Sequence, residues 1–217
     1  MRNLLLTMFL LLSSHSAYAC TGQSDKANFD NCMAQAQQGD VRAQAILGLM
    51  YKFGKGVTQD YKQAVKWYRK SAEQGFSNAQ YSLGGLYYKG QGVTQDYKQA
   101  FEWVKKAAEQ GHAKAQYFLA PMYYIGEGVT QDYKQTVKWY RKAAEQGDVD
   151  AQYTLGLMYA SGKGVTQDYV LAHMWWDIAA STGYESAVKN RDRVAEEMSP
   201  SQIEKAHEMA REWTAKH

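Results

Sequence analysis

The 217-residue chain carries few of the features that mark enzymes, membrane proteins or nucleic-acid binders. It has no Gly-rich phosphate loop, no Cys-x-x-Cys pair and no His-Glu-x-x-His helix, so the common nucleotide, redox and zinc-hydrolase sites are missing. Its five histidines (His15, His112, His173, His207 and His217) are too scattered to share a metal, and neither metal nor cofactor is expected. A formal net charge of +3 is too small to hold a nucleic acid. Leu4–Leu12 is the one sustained apolar run, and it is too short to cross a bilayer. Prolines and cysteines number two each. What remains is 45% hydrophobic and 22% charged, the balance of an ordered chain.

The first residues read as an export signal. Arg2 supplies the positive region, Leu4–Leu12 the apolar core, and Ala17-Tyr18-Ala19 a small-x-small cleavage site. Residues 1–19 are therefore expected to be a signal peptide, and the mature chain to be periplasmic or secreted. Cleavage would leave Cys20 first, which opens a lipoprotein alternative. Ala17 and the bulky Tyr18 fit that alternative poorly, because a leucine is usual three residues before the lipidated cysteine. In an oxidising compartment the two cysteines suggest one disulfide, Cys20–Cys32.

One string dominates the rest. Gly-Val-Thr-Gln-Asp-Tyr starts at Gly56, Gly92, Gly128 and Gly164, each 36 residues after the last. A fixed period of this size means stacked helix pairs, each burying its face against the next. In the first copy Ala43, Leu47, Met50 and Gly54 follow one helical face. Gly48 permits close approach of another helix, and Gly54 and Gly56 end the element. Asp60 is a candidate N-cap for a second helix, Tyr61 to Gln74, with Tyr61, Ala64, Trp67, Tyr68 and Ala72 inward. The expected architecture is an all-α, right-handed α-solenoid (an α/α superhelix) of four 36-residue helix-turn-helix repeats with capping helices at both ends. The repeats span 43–78, 79–114, 115–150 and 151–186, between an N-terminal cap at 20–42 and C-terminal caps at 187–217.

At the N-terminal end, Asn28 to Gln38 reads as a lone second-type helix, with Cys32 inward. At the other end the fourth copy drifts. Ile178 stands where Lys70, Lys106 and Lys142 stand in the others, so something must cover it. The cover is expected from a helix at Ala187–Met198 and another introduced by Ser199-Pro200-Ser201-Gln202, with Ile203, Ala206, Met209, Ala210 and Trp213 inward. Pro121, seven residues into the first helix of repeat three, is expected to bend it.

The pattern Ala-Gln…Leu-Gly…Met-Tyr…Gly-x-Gly-Val…Asp-Tyr-x-x-Ala…Trp-Tyr-x-x-Ala-Ala-x-x-Gly, from Ala43 to about Ser186, resembles the Sel-1-like repeat, a relative of the tetratricopeptide repeat. The resemblance implies a curved helix-pair solenoid acting as an adaptor of the bacterial envelope, binding a protein or peptide on the concave face lined by first helices. Some secreted members are described as penicillin-binding proteins or weak β-lactamases. Those carry a cysteine pair in each repeat, and this chain has no cysteine inside its repeats. A hydrolase acting on β-lactams or peptidoglycan peptides is the alternative. Its only sequence handle is Ser186-Ala-Val-Lys189, without the Ser-Asp-Asn and Lys-Thr-Gly partners that such chemistry needs.

Comparing the four copies points to candidate binding residues. Opposite the stacking face, the third, seventh and tenth positions of the first helix are variable. They include Tyr81, Tyr117 and Tyr153 at the third and Lys52, Tyr88 and Tyr124 at the tenth. Rings with polar tips offer contact area at low entropy cost, so these six form the candidate site. A protein or peptide partner and a monomeric chain are expected.

Overall fold

The computed structural model describes residues 25–217, and the leader, its cleavage site and Cys20 lie outside them. Among the described residues there are eleven α-helices and no strand. A lone helix α1 (Asp25–Gln37) precedes four pairs: α2 (Val41–Phe53) with α3 (Tyr61–Glu73), α4 (Ser77–Lys89) with α5 (Tyr97–Glu109), α6 (Ala113–Ile125) with α7 (Tyr133–Ala144), and α8 (Val149–Ser161) with α9 (Tyr169–Ala180). Helices α10 (Glu185–Ala195) and α11 (Pro200–Lys216) close the chain, and both pack on α9. From α1 to α9 each helix packs mainly on its sequence neighbours, with a small α2–α4 contact besides, the contact pattern of a solenoid.

The recurring string does three physical jobs in every copy. Its glycine (Gly56, Gly92, Gly128, Gly164) has φ between 70° and 74°. A Cβ there would lie 2.1–2.3 Å from backbone atoms of Asp25, Tyr61, Tyr97 and Tyr133. The loop of one repeat therefore seats on the start of the preceding repeat's second helix, and only glycine fits. The glutamine folds back on the first helix: Gln59, Gln95, Gln131 and Gln167 donate to the carbonyls of Lys52, Tyr88, Tyr124 and Ala160 at 2.7–2.8 Å. These bonds satisfy acceptors that a helix end leaves open. The aspartate caps the second helix. Asp60 Oδ1, for example, accepts from the Lys62 and Gln63 amides at 2.8 and 3.1 Å.

Between the pairs the core is built from the expected face. Ala43, Leu47, Ala64, Trp67, Tyr68 and Ala72 are buried, as are Leu83, Leu119 and Leu155 at the matching positions. Full burial of each leucine contributes about 1.5–3 kcal/mol. Two residues depart from the spacing argument. Gly54 is exposed because it is the left-handed C-cap of α2 at φ 69°, and Tyr61 is only half-buried because it opens α3. The close approach at Gly48, Gly84 and Gly156 is real: an added Cβ would fall 2.7 Å from the Tyr68 ring, 2.6 Å from Val104 and 2.3 Å from the Trp176 indole nitrogen. Repeat three has Ala120 at this place and pairs the opposing Tyr140 ring with Tyr117 at 5.7 Å. Helix α6 runs unbroken through Pro121 from Ala113 to Ile125.

A buried glutamine ladder ties successive repeats. Gln44, Gln80, Gln116 and Gln152 donate back to the carbonyls of Ala36, Ala72, Ala108 and Ala144 at 3.1–3.3 Å. The first three accept in turn from Gln74, Gln110 and Gln146 at 2.6–2.8 Å. Gln152 has no such donor, because Thr182 replaces the fourth glutamine, and its Oε1 is unpartnered.

The ends are covered as the sequence argued. Cys32 and Ala36 of α1 are buried against Ala43 and Leu47. At the other end Ser199 forms a complete capping box with Gln202, and Pro200 opens α11. Ile178 is buried, and Trp213 meets the Trp175 ring edge-on at 5.6 Å.

Candidate functional site

The first helices α2, α4, α6 and α8 share a face, and its residues follow from register. All six expected site residues are partly exposed on it. All but Tyr117 also reach toward the following helix pair. Tyr81 stacks on His112 at 4.9 Å, and Tyr88 meets Phe118 edge-on at 5.1 Å. The Tyr88 hydroxyl donates to Glu127 at 2.8 Å. Lys163 donates to the Tyr124 hydroxyl at 2.6 Å and also sits over the Tyr124 and Tyr133 rings. Tyr117 packs on Tyr140, and Tyr153 on Tyr184 at 5.1 Å while its hydroxyl accepts from Asn190. Tyr81, Tyr88, Tyr124 and Tyr153 therefore join successive helix pairs, whereas Tyr117 packs on the second helix of its own repeat, and all five remain partly exposed.

Burial raises the Tyr81 and Tyr117 hydroxyl pKa values, with Asp150 and Asp148 adding to the shift at Tyr117. At Tyr88 the hydrogen bond to Glu127 is the main cause of a rise. All three therefore stay neutral donors at physiological pH. Lys52 is half-buried, and desolvation together with the nearby Lys89 charge lowers its pKa.

The most exposed apolar side chains of this face lie outside the six expected residues: Leu49 and Leu157 were placed on the face but not in the site, and Phe53 and Ile125 were not placed on it. Phe53 and Ile125 are 56% and 60% exposed, and Leu49 and Leu157 are 41% exposed. Leu49 and Leu157 occupy the seventh position examined above, and Phe53 and Ile125 lie four residues further along their helices. A cavity of about 430 Å³ opens beside Leu49, lined by Arg42, Ala45, Ile46, Leu49, Tyr68, Phe76, Asn78, Tyr81, Ser82, His112 and Lys114. Tyr81 thus belongs to both the tyrosine row and the cavity. Ala45, at the third position, is buried beneath it.

Among the described residues no group of His, Cys, Asp and Glu could hold a metal ion. Ser186 and Lys189 both stand exposed on α10. No helix among the described residues is long and apolar enough to cross a membrane.

A model of the Sel1 repeat matches residues 41–76, 77–112, 113–148 and 149–184, each opening on the first residue of a first helix. The chain belongs to the Sel1 repeat family. Sel1 repeats are in general non-catalytic helical scaffolds for protein interaction. The solved Sel1 repeat protein from Oxalobacter formigenes is 38% identical over 79% of this chain and 49% of that one, with a TM-score of 0.72. A protective antigen present in uropathogenic Escherichia coli strains, displaying an SLR fold, is 30% identical over 88% of this chain and 56% of that one, with a TM-score of 0.53. The chain thus spans about half the length of these solved structures. Comparison with curated proteins finds no match.

Proposed function

We propose that this Sel1 repeat protein is an adaptor of the bacterial cell envelope that holds a protein or peptide on its first-helix face, without catalysing a reaction. The observation that carries this reading is the coincidence on one face of half-exposed tyrosines and uncovered apolar residues. A solvated helix face has no need of Phe53, Ile125, Leu49 and Leu157, and a row of apolar side chains set among polar-tipped rings is the make-up of an interaction surface. The envelope location rests on the leader read in residues 1–19, and the Cys20–Cys32 disulfide belongs to the same proposal.

The test is the double variant Tyr88→Ala/Tyr124→Ala, compared with wild type for what co-purifies from envelope extract. Each true hot spot should weaken capture by about 1 kcal/mol or more. Loss of a specific band with a folded, helical variant supports the reading. Unchanged capture by a folded variant removes these tyrosines from the site.

A further inference from the structure

The second helices carry a concentration of positive charge that the formal net charge of +3 conceals. Lys62, Lys66, Arg69 and Lys70 of α3 follow one another at steps of four, three and one, which keeps them within about 100° of helix surface. The same registers hold Lys98, Glu102, Lys105 and Lys106 in α5 and Lys134, Lys138, Arg141 and Lys142 in α7. Eleven of these twelve residues are cations, and all but the half-buried Lys105 are exposed. Acids lie at the borders: Glu73, Glu109 and Glu145 share one register at the helix ends, and Asp60, Asp96 and Asp132 are used as N-caps. Lys105 pairs with Glu109 at 3.9 Å, and the other ten cations form no ion pair among the described residues. Packing brings the three stripes to one side of the array. Trp103 of α5 packs on the cluster that holds Tyr68 and Ala72 of α3, and Lys105 of α5 and Lys138 of α7 line one cavity of about 480 Å³. The charge is confined to repeats one to three. At these registers α1 has Lys26, Asp30, Met33 and Ala34, and α9 has Val170, Met174, Asp177 and Ile178.

The make-up of the patch selects its partner. Nine of the eleven cations are lysines. Lysine is a strongly hydrated point charge and is depleted from protein interfaces, where the planar fork of arginine is preferred. Single-stranded nucleic acid needs open rings on which bases stack. Here Trp67 and Trp139 are only 6% and 4% exposed, and Lys70 and Lys142 lie over them. A field of mobile ammonium groups spread over three helices, with its tryptophans covered, matches a surface of many loosely placed anions. The headgroup layer of an anionic bilayer is such a surface, and clusters of about four to eight lysines or arginines are enough to recognise it.

We propose that the second-helix face of repeats one to three docks on the surface of a bilayer containing anionic phospholipid. Lysine ammonium groups meet headgroup phosphates, and no helix inserts. The array then rests on the membrane by its second helices and keeps the first-helix face for its protein partner. The proposal rests on the envelope location given above and not on the first-helix binding face.

The test is co-sedimentation of the purified protein with vesicles of phosphatidylcholine alone or with about 30% phosphatidylglycerol, at low and high salt. Two variants lose the same charge from different places. Lys62→Gln/Lys66→Gln/Lys98→Gln/Lys134→Gln changes exposed second-helix residues that cover no ring. Arg42→Gln/Lys55→Gln/Lys89→Gln/Lys114→Gln changes exposed residues of the first helices and the loop after α2. Wild type is expected to bind the anionic vesicles only, and to be released by high salt. The second-helix variant should bind at least tenfold more weakly, and the first-helix variant within about twofold of wild type. If the second-helix variant does not fold, Lys62→Gln/Lys66→Gln and Lys98→Gln/Lys134→Gln replace it, each with a smaller loss in the same direction. Absence of vesicle binding, equal binding to neutral vesicles, or equal loss in both variants overturns the proposal. Tighter binding of a DNA duplex than of anionic vesicles at the same salt also overturns it and assigns the face to nucleic acid. Tyr88→Ala/Tyr124→Ala should bind vesicles as wild type does, and a loss there would move lipid binding to the first-helix face and overturn the proposal. None of these outcomes decides the adaptor reading, which the capture experiment judges without vesicles.

Discussion

Repeats one to three and repeat four use the same register for different ends. In the first three, a lysine near the end of the second helix lies over the repeat's own tryptophan. Lys70 covers Trp67 at 4.7 Å, Lys106 covers Trp103 at 4.4 Å and Lys142 covers Trp139 at 5.4 Å. The lysine stem covers apolar ring while its ammonium stays in water. In repeat four the pair becomes Ile178 and Trp175, and the cover is α11 with Trp213. Val65, Phe101 and Val137 give way to His173, which is 2% exposed. Asp177, in the register of Arg69 and Arg141, accepts from Arg191 at 3.0 Å and meets His207 at 2.9 Å. An internal repeat can leave its outer face to water, whereas the last repeat must bind a helix that follows no repeat rule. Its substitutions are the fitting surface for that helix.

The comparison breaks most severely on truncation after Met198. Removing α11 uncovers Ile178 and Trp175 and takes away the buried Ala206 and Ala210, so a loss of about 3–5 kcal/mol is expected, read as a large fall in thermal midpoint. A midpoint within a degree of the full chain would mean that α11 is not a cap. Next in size is the exchange of the two residue types. Ile178→Lys buries a cation beneath α11 and should cost about 2–4 kcal/mol, while Lys106→Ile on an exposed face should shift stability by under about 0.5 kcal/mol. Equal effects would show the two repeats to be equivalent after all.

The histidine gives a pH signature. His173 is held neutral, its pKa lowered first by burial and then by His207, against partial opposition from Asp177. Arg191 lowers it further, and Asp192 opposes weakly. Its contribution to stability is complete above the unfolded value near 6.5 and is lost as pH falls below that, because the unfolded chain takes up a proton that the folded chain refuses. His173→Val, the residue of repeats one and three, should flatten stability between about pH 6.5 and 5. His112, also lowered by burial, leaves a residual slope. An unchanged slope in the variant would exclude His173 as the sensor. The smallest expected effect is a gain. Thr182→Gln restores the missing rung of the ladder, reaching the open Gln152 Oε1 through a cavity of about 360 Å³ that both residues line. It should stabilise by about 0.5–1.5 kcal/mol in chemical denaturation, and a neutral or negative effect would show that water already fills the place.

The repeat frame, the caps and the covering helix were legible in the sequence because each rests on local chemistry. A glycine at positive φ, an aspartate before a helix and a Ser-Pro-x-Gln start depend on neighbours a few residues away. The glutamine ladder was not legible. Gln44 and Gln74 are 30 residues apart, and a glutamine in sequence reads as surface until its partner is placed. The His173–His207 contact, with ring centroids 4.9 Å apart, depends in the same way on how α11 folds back. On the candidate face the tyrosine row was found by internal comparison. Phe53 and Ile125 were missed because an apolar residue at a helix end reads as core, and only the packing shows that among the described residues nothing covers them.

The first-helix face as the binding surface is tested most directly by site-specific photo-crosslinking in the living cell. A benzophenone side chain is placed at Phe53 or Ile125, and for comparison at Lys66 or Lys138 on the exposed second-helix face. The account predicts a discrete higher-mass adduct from Phe53 and Ile125 and none from the lysine positions. Adducts from the lysine positions alone would contradict it and move the partner to the opposite side of the array.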